Sequence, residues 1–181
     1  MHKGRQNSSD SAAPDDGPFR SWLRALSEEL GTELEDFLDS EEVLAFLRSA
    51  FTRNGSMPAP YFVPLLCAHR QALAQRTVDA LITQVRRDTG RRVEVPVHYE
   101  TPSVREPEGA VRVGHEPVHG IDPVDIRIES AEGVQCLLAD RDRLVWPLCP
   151  DHRVGLHAAR TPSGATWVCS VTRHAVASIS G

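Results

Sequence analysis

The chain has 181 residues, 40% hydrophobic and 25% charged, the balance of a folded chain with a core of its own rather than a disordered one. Its formal net charge is -5, and no run approaches the ~18 consecutive apolar residues of a membrane span. These numbers exclude a uniformly basic, nucleic-acid-coating surface and a membrane-embedded helix. The charge is uneven: net -5 over residues 1–60, +3 over 61–95, -6 over 96–140 and +3 over 141–181. A local basic patch thus remains open on the third helix or at the C-terminus. Of the 20 basic residues only Lys3 is lysine, an arginine bias that points to a GC-rich bacterial source. The opening "MHKGRQNSSDSAAPDDG" has no apolar core of a secretion signal, so a cytoplasmic location with reduced thiols is expected.

In chain order, residues 1–17 hold little that can be buried and read as a disordered tail. Residues 18–90 read as helical. Phe19, Trp22, Leu23, Leu26 and Leu30 share one helix face, with Pro18 in the first turn and Gly31 at the end. Thr32 and Glu35 have the spacing of a capping box. Ser40 is placed to cap a helix whose apolar face is Val43, Leu44, Phe46, Leu47, Ala50 and Phe51. Pro58, Pro60 and Pro64 predict a stiff crossing. A longer helix follows over roughly Pro64 to Asp88, faced by Leu66, Leu73, Ala74, Val78, Leu81, Ile82 and Val85 and stopped at Gly90.

Beyond Gly90 the apolar period changes to two, and residues 91–148 read as an antiparallel sheet. Val93, Val95, Val97 and Tyr99 alternate, with Pro96 marking an edge or bulge. "TPSVREPEG" reads as a loop. Val111 and Val113 alternate, as do Val124, Ile126 and Ile128, then Val134, Cys136 and Leu138, with Cys136 in the core. Leu144, Trp146 and Leu148 form a last run. Helices first and strands second predict an α+β fold.

The last run leads into "WPLCPDHRVGLHAARTPSGATWVCSVTRH". Cys149 and His152 form a C-x2-H pair and, after sixteen intervening residues, Cys169 and His174 form C-x4-H. Two thiolates and two imidazoles suit tetrahedral zinc. "RVGLHAAR" and "ATWVC" read as strands about a "TPSG" turn. A hairpin ends where it began, so the turn predicts that the two pairs converge. His157 is the rival ligand, but five residues along an extended strand put it ~16 Å from His152. With no metal at all, the cysteines would be small buried residues and the histidines surface groups.

Residues 145–181 resemble the zinc-ribbon class of small metal domains, a knuckle, a hairpin and a second knuckle. The resemblance implies one structural zinc held by Cys149, His152, Cys169 and His174. The commonest ribbon has cysteine pairs two apart at both knuckles; here each pair is Cys-His and the second gap is four.

Other motifs are weaker. "GHEPVHGID" brings His115, His119 and Asp122 close in sequence and, with His98, is where an enzyme would keep an active site; a polar loop is the plainer reading. Cys67 and His69 are two apart on a helix and point apart. Arg86, Arg87, Arg91 and Arg92 suit a solvated helix end or phosphate contact. No phosphate-binding loop, dinucleotide fingerprint or G-x-S-x-G occurs. A filled zinc shell without a catalytic motif predicts a non-enzymatic, zinc-stabilised factor that binds another protein. A small metal-dependent enzyme and a nucleic-acid-binding accessory protein are the alternatives. Val-rich strand edges offer a route to a dimer.

Overall fold

The computed structural model describes residues 16–100 and 110–181. The loop over 101–109 lies outside them, as does all of the tail over residues 1–17 except Asp16 and Gly17, and Gly17 already belongs to the first helix. The fold is mixed α+β, with four α-helices and two antiparallel three-stranded sheets among the described residues. No helix among the described residues is long and apolar enough to cross a membrane.

Helix α1 (Gly17–Leu30) buries Phe19, Trp22, Leu23 and Leu26 and ends at Gly31 in the left-handed conformation. A 3-10 turn, Leu34–Phe37, follows, and the Leu34 amide donates to Ser27 Oγ at 3.0 Å. The expected capping box at Thr32 does not form, and Glu33, the residue before the turn, makes no side-chain capping bond. Helix α2 (Glu41–Asn54) starts after Ser40, whose hydroxyl makes no capping bond. The acidic first turn, Glu41 and Glu42, complements the helix dipole instead.

Helix α3 spans Ala59–Thr89, one turn earlier than the prolines suggest. Pro60 lies in the first turn, where an amide has no intrahelical acceptor, so its missing N–H costs nothing. Pro64 is carried inside the helix. Glu29 Oε2 on α1 accepts the Ala59 N–H at 2.8 Å and satisfies one of the orphan donors at this end.

Phe19, Trp22, Phe51 and Phe62 form a cluster with neighbouring ring centroids 5.3–6.0 Å apart. The Trp22 indole N–H donates to the Met57 carbonyl at 2.7 Å, so its one polar atom is satisfied inside the core. A second core holds Val78, Leu81 and Val85 of α3 with residues of the later elements. Helix α3 therefore walls both.

The first sheet is β1 (Val97–Glu100), β2 (Ala110–Val113) and β3 (Glu116–Val118), in that order. Gly114, at φ +63°, serves the β2–β3 turn. Val93 and Val95 are buried but precede the strand.

The next segment differs from the sequence reading. Residues 123–142 are not two strands but one helix, α4 (Pro123–Asp142). Asp122 caps it, its Oδ1 accepting the Val124 N–H at 2.6 Å, and Pro123 occupies the first turn. Its buried face is Ile126, Ser130, Ala131, Gly133, Val134, Leu137 and Leu138, a helical spacing filled partly by small residues. The small residues permit close packing: a β-carbon at Gly133 would meet the Val113 carbonyl oxygen at 2.7 Å. Cys136, expected in the core, is exposed, because two residues along a helix turn it away from the face of Val134 and Leu138. Leu144, Trp146 and Leu148 form no regular strand; only an isolated bridge, Leu148 to Gly155, is present.

The second sheet is β4 (Leu156–Thr161), β5 (Gly164–Cys169) and β6 (Ala175–Ser178). The β4–β5 hairpin about Pro162–Ser163 matches the expected strand–turn–strand, with Leu156 opposite Cys169 and Thr161 opposite Gly164. Strand β6 was not anticipated.

Candidate metal centre

The register of β4 and β5 brings the two Cys-His loops together. Leu156 pairs with Cys169, so the loop that precedes β4 lies beside the loop that follows β5. Helix α4 holds this end in place. The Gln135 amide on α4 donates to the carbonyls of Trp146 at 3.2 Å and Leu156 at 2.8 Å, one on each side of the first loop. The Trp146 indole donates to Asp88 Oδ2 at the end of α3 at 3.1 Å and meets the Trp167 ring edge-on at 5.8 Å.

The two loops have the same backbone. In the first, the Arg153 N–H donates to the Cys149 carbonyl at 2.9 Å, and the Cys149 N–H donates to the Val154 carbonyl at 2.8 Å. In the second, the Arg173 N–H donates to the Cys169 carbonyl at 2.9 Å, and the Cys169 N–H donates to the His174 carbonyl at 3.0 Å. The fifth residue of each is an arginine in the left-handed region, at φ 57° and 62°. The histidine is the fourth residue of the first loop and the sixth of the second, and both reach the same point.

Cys149 Sγ is 3.4 Å from His152 Nδ1 and 3.8 Å from His174 Nε2, and Cys169 Sγ is 3.6 Å from His152 Nδ1. Tetrahedral zinc with Zn–S of about 2.3 Å and Zn–N of about 2.0–2.1 Å sets a sulfur–nitrogen edge of about 3.6 Å. Cys149, His152 and His174 place one ligand atom each within 4.8 Å of one another, a group able to bind a metal ion. Cys169 joins through its contact with His152 and lies outside that mutual triad. Both sulfurs are buried; His152 is exposed and His174 half-buried.

The surroundings favour the ligating forms. The Thr172 backbone N–H, helped by its hydroxyl, the Val171 N–H and the Cys149 thiol, outweighs burial and holds the Cys169 thiol down at about 6, toward its thiolate form. Thr172 Oγ1 lies 2.6 Å from His174 Nδ1. That contact occupies one ring nitrogen and leaves Nε2 facing Cys149, the outer support metal-binding histidines ordinarily have. Asp151 Oδ2 is 3.7 Å from His174 Nε2. His157 lies on β4, opposite Val168 of β5, and is absent from the ligand group.

The other sequence candidates do not converge in this way. His98 Nε2 lies 3.6 Å from Glu100 Oε1 on β1. The backbone of the His119 segment is clamped: Glu129 Oε2 accepts the N–H groups of His119 and Gly120 at 2.9 Å each. The Arg70 guanidinium donates to the carbonyls of both residues. Asp122 is the cap of α4 and pairs with Arg160 at 3.2 Å. Among the described residues, none of His98, His115, His119 and Asp122 belongs to a metal-competent group of three. Beside them Glu116, Glu129, Glu132 and Cys136 line a cleft of about 490 Å3. Burial, with Glu129 and Glu116 adding, raises the Glu132 carboxyl. Cys67 is buried, and His69 stacks on Phe46 at 4.2 Å. Of the arginines near the end of α3, Arg87 pairs with Asp88 and Arg91 donates to the Asp142 carbonyl.

Sequence reasoning missed Thr172, Arg153, Arg173 and the equivalence of the two loops. The signal was present as a repeated C-x3-R, Cys149 to Arg153 and Cys169 to Arg173. Compared with known proteins, the chain matches no family model, no curated protein and no solved structure.

Proposed function

We propose that this chain is a non-enzymatic, zinc-stabilised cytoplasmic factor that works by binding another protein, with residues 145–181 forming a zinc-ribbon-like unit. One zinc is held by Cys149, His152, Cys169 and His174. The observation that carries the reading is the set of sulfur–nitrogen separations of 3.4, 3.6 and 3.8 Å, which matches a tetrahedral zinc edge. The donor set supports it further. Two thiols, one already shifted toward thiolate, and two imidazoles suit zinc better than harder cations, which prefer oxygen. Four protein ligands fill a tetrahedral shell, and a filled shell stabilises a fold rather than activating water. The metal would tie the two loops, and through them the ends of β4 and β5, into one unit.

Elemental analysis of reduced, zinc-grown protein, joined to melting curves with and without a chelator, tests this. One zinc per chain and a chelator-lowered Tm are expected. Protein that melts identically with no bound metal would sink the reading.

A further inference from the structure

Resting on the protein-binding reading above, we propose that the loop end of the second sheet is the docking surface, that its partner is an acidic protein segment carrying aliphatic anchor residues, and that Arg153 and Arg173 read its carboxylates. Three observations lead there.

Arg153 and Arg173 hold equivalent places in the twin loops, both in the left-handed region. A β-carbon is disfavoured there and glycine is the ordinary occupant. Their backbone N–H groups close the loops, a task glycine would perform with less strain. The side chains do not repay that strain locally, since neither guanidinium has a hydrogen bond or ion pair among the described residues. Strain kept at two matched positions, with the charged group left outward, marks a task directed at something else.

The loop end also exposes Val145 (62%), Leu148 (45%) and Val171 (64%). Leu148 precedes Cys149, and Val171 lies inside the second loop. Val145 sits against the hairpin base, its Cγ1 3.2 Å from where a Gly155 β-carbon would be. Apolar side chains flanked by guanidiniums fit carboxylates alternating with aliphatic groups, and arginine is enriched in such interfaces. The one carboxylate in these loops, Asp151, lies beside His174.

The chemistry favours protein over nucleic acid. The exposed apolar groups are aliphatic, with no ring for a base to stack on. The chain as a whole is net -5, which opposes a long polyanion while leaving a short acidic segment free to dock.

The test compares the zinc-loaded full chain with its R153G/R173G variant. Glycine suits both backbone positions, so the variant should keep its zinc and melt at the same temperature or a few degrees higher. A random peptide library selected on the wild-type chain should yield peptides rich in Asp and Glu with recurring Leu, Ile or Val. Their affinity should fall at least ~10-fold in the variant and in high salt, and the V145S/V171S variant should weaken them with the salt dependence kept. Selected peptides that bind R153G/R173G equally well, or that are basic, would overturn the surface and leave the protein-binding reading standing. No enriched peptide at all would overturn both. A lower melting temperature for R153G/R173G would make the arginines structural and end the proposal. So would binding of a single-stranded oligonucleotide at these arginines in place of peptide.

Discussion

At the N-terminal end of the chain, Phe19, Trp22, Phe51 and Phe62 pack on one another chiefly through apolar contact, with one indole hydrogen bond and the Arg48 guanidinium 5.0 Å over the Phe19 ring. At the C-terminal end, the loops beside the β4–β5 hairpin leave Leu148 and Val171 in solvent and bury two cysteines. An aromatic side chain withdraws about 150–250 Å2 from water, so a ring cluster holds its helices together chiefly by area. Two six-residue loops have no such area to hide, and a set of inward-facing donors takes its place. Perturbations should therefore separate: an apolar deletion at one end, a donor deletion at the other.

The largest separation is expected for Cys149→Ala. It removes a buried sulfur from the centre of the sulfur–nitrogen set, so the proposed zinc should be lost outright, with destabilisation above about 4 kcal/mol. Elemental analysis and a denaturant melt would check this. Retention of a full zinc equivalent would place the metal elsewhere. Next is Trp22→Ala, which should cost about 3–5 kcal/mol through the cavity it leaves and yet leave one zinc per folded chain. Loss of zinc together with stability would mean that the two ends are not chemically independent.

Thr172→Val keeps the shape of the second loop but removes the hydroxyl beside His174 Nδ1. Zinc affinity in a chelator competition should fall about 10–100-fold with the melting of α1 and α2 unchanged. The smallest effect belongs to acid. At the helical end, burial, with Arg76 and Arg70 opposing Glu42, lowers the pKa of His69. A histidine depressed in the folded state contributes stability above its unfolded value near 6.5, and that stability is lost as pH falls through the folded value. Hydrogen-exchange protection of α2 amides should thus drop from pH 7.5 to 5.5 in the wild type and hold level in His69→Gln.

The same contrast explains which parts could be read from the sequence. Helices α1 and α2 were legible because their buried faces are large apolar residues at helical spacing. The hairpin was legible from its Pro-Ser-Gly turn, and the turn located the Cys-His centre. Helix α4 was not legible, for a physical reason. Its tightest contact with β2 requires Gly133, and its neighbours Ser130 and Ala131 are buried but small, so the helical stripe is blank in hydrophobicity where the packing is closest. Val124 and Ile128, only partly buried beside Ile126, then imitate a two-residue period. The cap of Asp122 followed by Pro123 was the signal that would have separated the two. At the candidate metal centre, residue types gave the donor atoms, but the support from Thr172 depends on a hydroxyl meeting a ring nitrogen across a turn, which spacing does not encode.

Helix α3 has a consequence for how the gene could be cut. At 1.5 Å per residue its 31 residues run about 46 Å. Phe62 and Leu66 belong to the ring cluster, whereas Leu73 through Val85 belong to the core behind the hairpin. A fragment that ends just after α3 keeps the whole helix with the ring cluster and takes Leu73 through Val85 from the core behind the hairpin, so the C-terminal piece should not fold alone. The stretch between Gly90 and Val97, where the chain leaves the helix before β1 begins, divides the sequence without halving that shared wall. Two separately produced pieces divided there would reassemble, and such complementation turns a helix that serves two cores into a handle for controlling when the end that carries the Cys-His group is completed.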